Sequence, residues 1–287
     1  MTISVLTIVK NRHDHLTNLL TGLASSRQTP DEVIVVDMSE HPFDPGMNPL
    51  NIMVRHMPEQ GLPLAKARNE AARLARSDKF LFLDVDCIPG ASLVSAINEV
   101  LCRESAITCA KVRYLRRGPL TRPWNESTLL ALSDLHPLRD FPASGLRLET
   151  NPGLFWSLLF GISRANFERL RGFDEDFTGY GAEDTDFGFR AAAAGIPLIF
   201  QAEGTAYHQY HETQDPPLNH LEDIVRNANT FMAKHGVWPM EGWLKKFQQM
   251  GLIEFAGDRV ERTNIPVNHR VPLRYAASRP GLRHSAR

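Results

Sequence analysis

Three short clusters hold the residues of this chain that could do chemistry. Asp84-Val85-Asp86 sets two carboxylates at the end of the very apolar run Phe80-Leu81-Phe82-Leu83. Two negative charges in a crevice repel each other and resist desolvation, so they call for a cation. Oxygen ligands suit Mg²⁺ or Mn²⁺, ions that complete their shell with substrate phosphates. A helix N-cap beside a surface acid would produce the same triplet, which also arises by chance. The second cluster, Gly179-Tyr180-Gly181-Ala182-Glu183-Asp184-Thr185-Asp186, sets a glycine turn before three acids at a helix start. Compensation of the helix dipole explains acids there, while the glycines point to a turn that must approach a ligand closely. In the third, Tyr207-His208-Gln209-Tyr210-His211, two imidazoles stand three residues apart among aromatics, a spacing that serves a structural role or a metal.

The elements that must position these clusters are legible as alternating strands and helices. Residues 3–9 form a β-branched run suited to a strand buried on both faces, and Leu16, Leu19, Leu20 and Leu23 mark one apolar helical face. Strands are predicted at 33–36 (ending at Asp37), 52–56, 80–83 and 106–112, with helices at 64–76 and 93–101. This alternation implies βαβ units and a mostly parallel sheet. Residues 114–152 break the rhythm with scattered Pro, Gly and Arg, as expected of a functional loop or lid. A strand over 154–162, a short helix over 164–170, a helix over 183–194, a strand over 197–200 and a helix over 218–235 follow. The chain from Gly257 shows no periodicity and is expected to be extended. No internal repeat is visible. In such a sheet ligands sit at the carboxyl ends of the strands, where Asn11-Arg12, Asp37 and the Asp84–Asp86 triplet fall. No glycine-rich turn follows the first strand, which excludes a dinucleotide fingerprint and a P-loop.

The chain has 287 residues, 43% hydrophobic and 23% charged, with a net charge of -1. That length buries a full core, and the balance of charge gives no argument for nucleic-acid binding. The charge is uneven. Residues 256–287 carry seven Arg against two acids. Three cysteines are too few and too irregular for a disulfide framework or a zinc site. The N-terminus lacks the features of a signal peptide, and no stretch reaches the ~20 apolar residues of a bilayer span. The expectation is a cytoplasmic protein.

Four segments, Ser4 through Arg12, Glu32 through Asp37, Ala67-Arg68-Asn69-Glu70-Ala71-Ala72 and Phe82 through Asp86, resemble in order and spacing the nucleotide-sugar half of inverting GT-A glycosyltransferases of the family 2 type. Gly172-Phe173-Asp174-Glu175-Asp176-Phe177 through Glu183-Asp184-Thr185-Asp186-Phe187 resembles the acceptor half shared by β-galactosyltransferases and polypeptide N-acetylgalactosaminyltransferases. The resemblance runs over residues 2–212. It implies a GT-A fold: one α/β domain with a Rossmann-like, mostly parallel sheet flanked by helices. Residues 1–112 would be its nucleotide-sugar half, 113–255 its acceptor and catalytic half, and 256–287 a basic tail.

The resemblance also implies roles. Val9, Asn11, Arg12 and Asp37 would hold uridine and ribose, Arg68 would face the donor phosphates or ribose, and Asp84 with Val85 would lie near the ribose and sugar. Asp86 would ligate Mn²⁺ (or Mg²⁺) with His208, or with His211 in its place. Asp184 would be the catalytic base and Glu183 would orient the acceptor. The second strand departs from the family pattern, reading Asp37-Met38-Ser39 where a pair of acids before a Ser is usual. The implied reaction moves a sugar from a UDP-sugar to an acceptor hydroxyl on a sugar, a lipid-linked molecule or another compound. A sugar nucleotidyltransferase would need a Gly- and Arg-rich loop where Lys10-Asn11-Arg12-His13 stands. A silent sugar-binding module would be expected to lose an acid at 86 or 184, and both are present. For the tail, a solvated end is the simpler expectation, and peripheral contact with an anionic membrane is the sharper one.

Overall fold

Strand β1, Ile3–Val9, has no exposed side chain, so it must be covered on both faces. The computed structural model describes residues 2–118, 120–137 and 139–267, and there it is so covered. After β1 come α1 (His13–Ala24), β2 (Glu32–Asp37), β3 (Ile52–His56), α2 (Leu64–Leu74), β4 (Lys79–Leu83), the short β5 (Cys87–Pro89), α3 (Leu93–Arg103) and β6 (Ile107–Leu115). The stretch expected to be irregular contains α4 (Glu126–Ala131), β7 (Ser133–Leu135) and β8 (Leu146–Glu149). Asn125 starts α4 by accepting the Thr128 N–H on its side chain. The chain continues through β9 (Leu159–Ser163), α5 (Arg164–Arg169), α6 (Glu183–Ala193), β10 (Leu198–His208), α7 (Leu221–His235), α8 (Glu241–Gln249) and a hairpin of β11 (Ile253–Ala256) and β12 (Arg259–Arg262).

The main sheet has the order β3-β2-β1-β4-β9-β6-β10-β5, with β7 on β6 and β8 on β10. The strands β1 to β4 run parallel to one another, as do β6 and β10. The strand β9 is antiparallel to both of its neighbours, β4 and β6. Six strands therefore share one direction, and the sheet is mixed but mostly parallel. One face packs under α1 and α3 through Leu16, Leu19, Leu23, Leu93 and Ile97. The other packs under α2, α5 and α6 in a phenylalanine-rich layer where Phe82 stacks on Phe160 at 4.6 Å and Phe173 on Phe187 at 4.5 Å. Residues from α7, α8 and the hairpin close a separate small core around Ile224, Leu244, Phe247 and Val260.

Four differences from the sequence expectation have local causes. The strand expected from 154 begins only at Leu159, because Asn151 accepts the Gly153 N–H and turns 152–154 into a single helical turn. The strand expected to stop at 200 continues to His208 across a bulge between Phe200 and Thr205, where Gly204 takes φ +78°. Helix α8 has no counterpart among the elements expected from the sequence, because its nine residues bury only Leu244 and Phe247 and leave too short an apolar period. The chain from Gly257 is not simply extended, since Val260 is buried and β12 pairs with β11 across the expected boundary at 255. The last five tail arginines, Arg270, Arg274, Arg279, Arg283 and Arg287, lie outside the described residues.

Candidate active site

The sheet brings the predicted residues to the carboxyl ends of its strands. The triplet forms the turn between β4 and β5, where the Asp84 N–H donates to Leu158 O and the Cys87 N–H returns to Asp84 O. Antiparallel pairing of β5 with β10 sets Cys87 opposite His208. As a result Asp86, His208 and His211 offer ligand atoms all within 4.8 Å of one another. The sequence left His208 and His211 as alternatives, and both stand at Asp86. The His208 ring stacks on Tyr114 at 4.9 Å, which fixes its plane. Arg12 and His15, from the start of α1, take the two oxygens of the Asp86 carboxylate, His15 Nδ1 at 2.5 Å.

Electrostatics divides the work of these groups. Burial alone would raise the Asp86 carboxyl, but hydrogen bonds from His15 and His211 and the charge of Arg12 outweigh it and hold the group well below the usual carboxylate range. Asp84 is pushed up to about 6 by burial and by the charge of Asp86. His208 is pushed down to about 4 by burial, against the attraction of Asp86, and is therefore neutral at pH 7 with a lone pair free to bind a cation.

Across the cleft, α6 begins with Glu183, Asp184 and Asp186, and each carboxylate has different company. Glu183 forms a buried ion pair with Arg68 at 2.8 Å, and the Arg68 guanidinium lies 5.2 Å from the centre of the Phe173 ring. Asp186, fully buried, is held by Arg190 at 2.7 Å, Lys234 at 2.6 Å and His235 at 2.8 Å. Asp184 has no basic side-chain partner among the described residues. It accepts the Thr185 N–H at 2.7 Å and, at 3.4 Å, the Ser157 N–H. Burial and the charge of Glu183 push its carboxyl up to about 6, with Arg68 pulling the other way. The charge of Arg68 acts on both Asp84 and Asp184, so this one guanidinium stands between the two halves of the site.

The glycines before α6 admit close approaches within the protein itself. Gly179 takes φ +75° and a Cβ there would overlap the Asp223 carboxylate, while one at Gly181 would come within 2.8 Å of Met240 Sδ. These close approaches are made by α7 and the start of α8. Tyr180, between them, stacks on His220 at 4.4 Å, and its hydroxyl is pushed up by burial first and then by Glu183, Asp184 and Asp84.

The nucleoside-side residues surround the end of β1. Val9 is buried and its carbonyl accepts the Met38 N–H. Asn11 takes φ +56° and donates its N–H to Ser39 Oγ at 2.7 Å. Asp37 is fully buried and accepts the N–H groups of Ser39 and Phe43, so its carboxylate shapes the loop after β2. Val85 is buried, its N–H donating to Asp84 Oδ1. Sequence reasoning missed His15 and the Arg68–Glu183 pair. The pattern His13-Asp14-His15 directly after the first strand was a visible signal for the former. Nothing local could have joined residues 68 and 183.

Residues 4–139 match the family described as Glycosyl transferase family 2, and residues 140–212 match the N-terminal domain of galactosyltransferase. The chain is 28% identical over 267 residues to validoxylamine A glucosyltransferase of Streptomyces hygroscopicus subsp. limoneus, covering 81% of this chain and 56% of that protein. A protein of the same name from Streptomyces hygroscopicus subsp. jinggangensis strain 5008 is 30% identical over 202 residues, covering 61% and 45%. The chain thus spans about half the length of the curated relatives it matches. Among solved structures, S. aureus TarS 1-349 in complex with UDP-GlcNAc aligns with a TM-score of 0.56 at 17% identity, over 81% of this chain and 67% of that one. GalNAc-T7 with UDP, GalNAc and Mn²⁺ aligns at 0.54 and 14% identity, over 87% and 58%. At these identities the likeness is one of fold, and the fold is GT-A.

Proposed function

We propose, from the match of residues 4–139 to Glycosyl transferase family 2 and of residues 140–212 to the N-terminal domain of galactosyltransferase, that this GT-A chain moves a sugar from a UDP-sugar donor to an acceptor hydroxyl, with inversion and with a divalent metal. The observation that carries the proposal is the meeting of Asp86, His208 and His211 at the carboxyl end of the sheet, facing Asp184 at the start of α6, which among the described residues pairs with no cationic side chain. One ionised carboxylate and two imidazoles, one of them held neutral, fit Mn²⁺ better than Ca²⁺, and Mg²⁺ is the weaker alternative. When bound, the metal would supply stabilisation of the negative charge that collects on the departing diphosphate.

The protein's own groups do the rest. Arg12, at the Asp86 carboxylate, adds a second positive charge beside the leaving group. The loop of Asn11 and the buried Asp37 would frame the uridine and ribose, with Asp84 and Val85 beneath the sugar. Arg68 holds Glu183 in place for the acceptor. Asp184, with a carboxyl near 6, is ionised at neutral pH yet basic enough to take the acceptor proton, a contribution of ~10²–10⁴-fold. Attack from the side opposite the diphosphate inverts the anomeric centre in one displacement. Relatives named for glucosyl transfer and neighbours holding UDP or UDP-GlcNAc support the donor class. A cytoplasmic setting suits three free thiols, two of them buried, and no helix among the described residues is long and apolar enough to cross a membrane.

The test is a panel of nucleotide sugars with Mn²⁺ and with excess chelator, read by calorimetry and by products. Donor binding is expected only with metal, Asp86→Ala is expected to abolish it while the fold survives, and transfer should release UDP. Undiminished affinity in chelator would remove the metal from the reading. Release of pyrophosphate would make the protein a sugar nucleotidyltransferase instead.

A further inference from the structure

Gln209 lies between the two candidate metal-ligating histidines and is 3% exposed. A buried primary amide must place two donors and an acceptor, and here they go to segments distant in the chain. Its Nε2 donates to His15 O at 3.1 Å and, at 3.5 Å, to Val85 O. Its Oε1 accepts from Asn18 Nδ2 at 2.6 Å. Its backbone N–H donates to Asp86 O at 2.6 Å. The β5–β10 ladder ends at the Cys87–His208 pair, one residue short of both Asp86 and Gln209. Beyond that pair, Arg12, His15 and His211 reach the Asp86 carboxylate, and the amide of Gln209 ties the backbone of the α1 start and of the carboxylate turn to the histidine stretch.

The network reaches further. Asn18, itself buried, accepts on Oδ1 from Arg122 Nε at 2.8 Å and from Trp124 Nε1 at 3.4 Å. Arg122 and Trp124 belong to the stretch between β6 and α4, so one chain of hydrogen bonds runs from that segment through Asn18 and Gln209 to the Asp86 turn.

We propose that Gln209 is the positioning residue of the metal centre and that Asn18 carries its alignment to the 122–124 segment. This rests on the metal-dependent reading above, and it concerns how tightly Asp86, His208 and His211 hold the ion. Residues that orient metal ligands typically change affinity by 10–100-fold, and coupled residues fail to add.

The experiment is an EPR titration of Mn²⁺ alone with the wild type, Gln209→Leu, Asn18→Ala and the double variant, each also melted in excess chelator. Gln209→Leu is expected to weaken Mn²⁺ binding at least tenfold, and Asn18→Ala several-fold. The double variant is expected to bind no more weakly than Gln209→Leu. Unchanged Mn²⁺ affinity in a Gln209→Leu protein whose chelated form melts lower would reduce Gln209 to a structural role and overturn the proposal. Strictly additive losses would overturn the part given to Asn18. If Gln209→Leu does not fold, Asn18→Ala and Arg122→Ala decide, and wild-type affinity in both overturns the coupling. A wild type that binds no Mn²⁺ at all defeats the metal reading itself, a result distinct from a variant that matches a binding wild type.

Discussion

Asp184 differs from Glu183 and Asp186 in its neighbours and not in its chemistry. The sequence shows three acids in one turn. It does not show that Arg68 neutralises the first and that Arg190, Lys234 and His235 surround the third. Asp184→Asn keeps the shape and removes the proposed proton acceptor. Turnover at saturating donor and acceptor should fall at least ~10²-fold, with donor affinity within a few-fold. Near-normal turnover would move the base elsewhere. In the wild type kcat/KM should level off about one pH unit above 6, stand at half its plateau near pH 6 and fall further below it, because the carboxyl, pushed up to about 6, cannot accept a proton once protonated. The sign for stability is opposite. A carboxyl raised in the folded state binds more protons there than in the unfolded chain, so ionisation costs stability as pH rises through about 6. Asp184→Asn should therefore melt no lower than the wild type at pH 8, measured side by side by calorimetry.

The elements most legible in the sequence are those with a clean period. The boundaries 3–9 coincide with β1, because a buried strand shows as an uninterrupted apolar run, and 52–56 coincide with β3, a half-buried strand at the sheet edge that keeps an apolar start, Ile52-Met53-Val54. The second part of β10 was hidden, since Gln201, Glu203 and Gly204 interrupt its pattern at the bulge. Roles that depend on contacts between distant residues were equally hidden. Asp186 belongs here, tying α6 to α7. Removing one partner of a buried set of charges costs ~3 kcal/mol, so Asp186→Ala should lower Tm by roughly 6–12 °C and leave Mn²⁺ affinity unchanged. A smaller shift would mean that Lys234, partly exposed, is solvated without it. Gly179→Ala is the matching test of the turn. The added Cβ would displace the Asp223 carboxylate, which accepts the Tyr180 N–H at 3.2 Å. Turnover is expected to fall at least tenfold through a misplaced base, with Mn²⁺ titrations as in the wild type.

At the scale of the whole molecule, the residues matched to the two families end at 212, yet the small core of α7, α8 and the hairpin supports the turn in front of Asp184. A chain ending at Gly251 loses Leu252, Ile253 and Val260, each buried to within 2% and each worth ~1.5–3 kcal/mol. It is expected to be insoluble or to melt far lower. A chain ending at Val267 keeps the whole hairpin and should bind Mn²⁺ and UDP as the full chain does. Sedimentation with anionic vesicles should also be the same for these two proteins, and stronger binding by the full chain would assign the tail arginines to a membrane surface.

The position of β9 has a consequence for how the protein is made. This strand, from the second matched segment, fills the gap between β4 and β6 of the first. As the nascent chain leaves the ribosome, β4 and β6 emerge with facing edges and no strand to join them. Some fifty residues separate the end of β6 from the end of β9, and at ~5–20 residues per second the gap stays open for roughly 2–10 s. Unpaired edges recruit other strands. Slow translation of this stretch should expose the newborn chain to aggregation, and a chaperone that shields those edges should raise the yield of soluble protein.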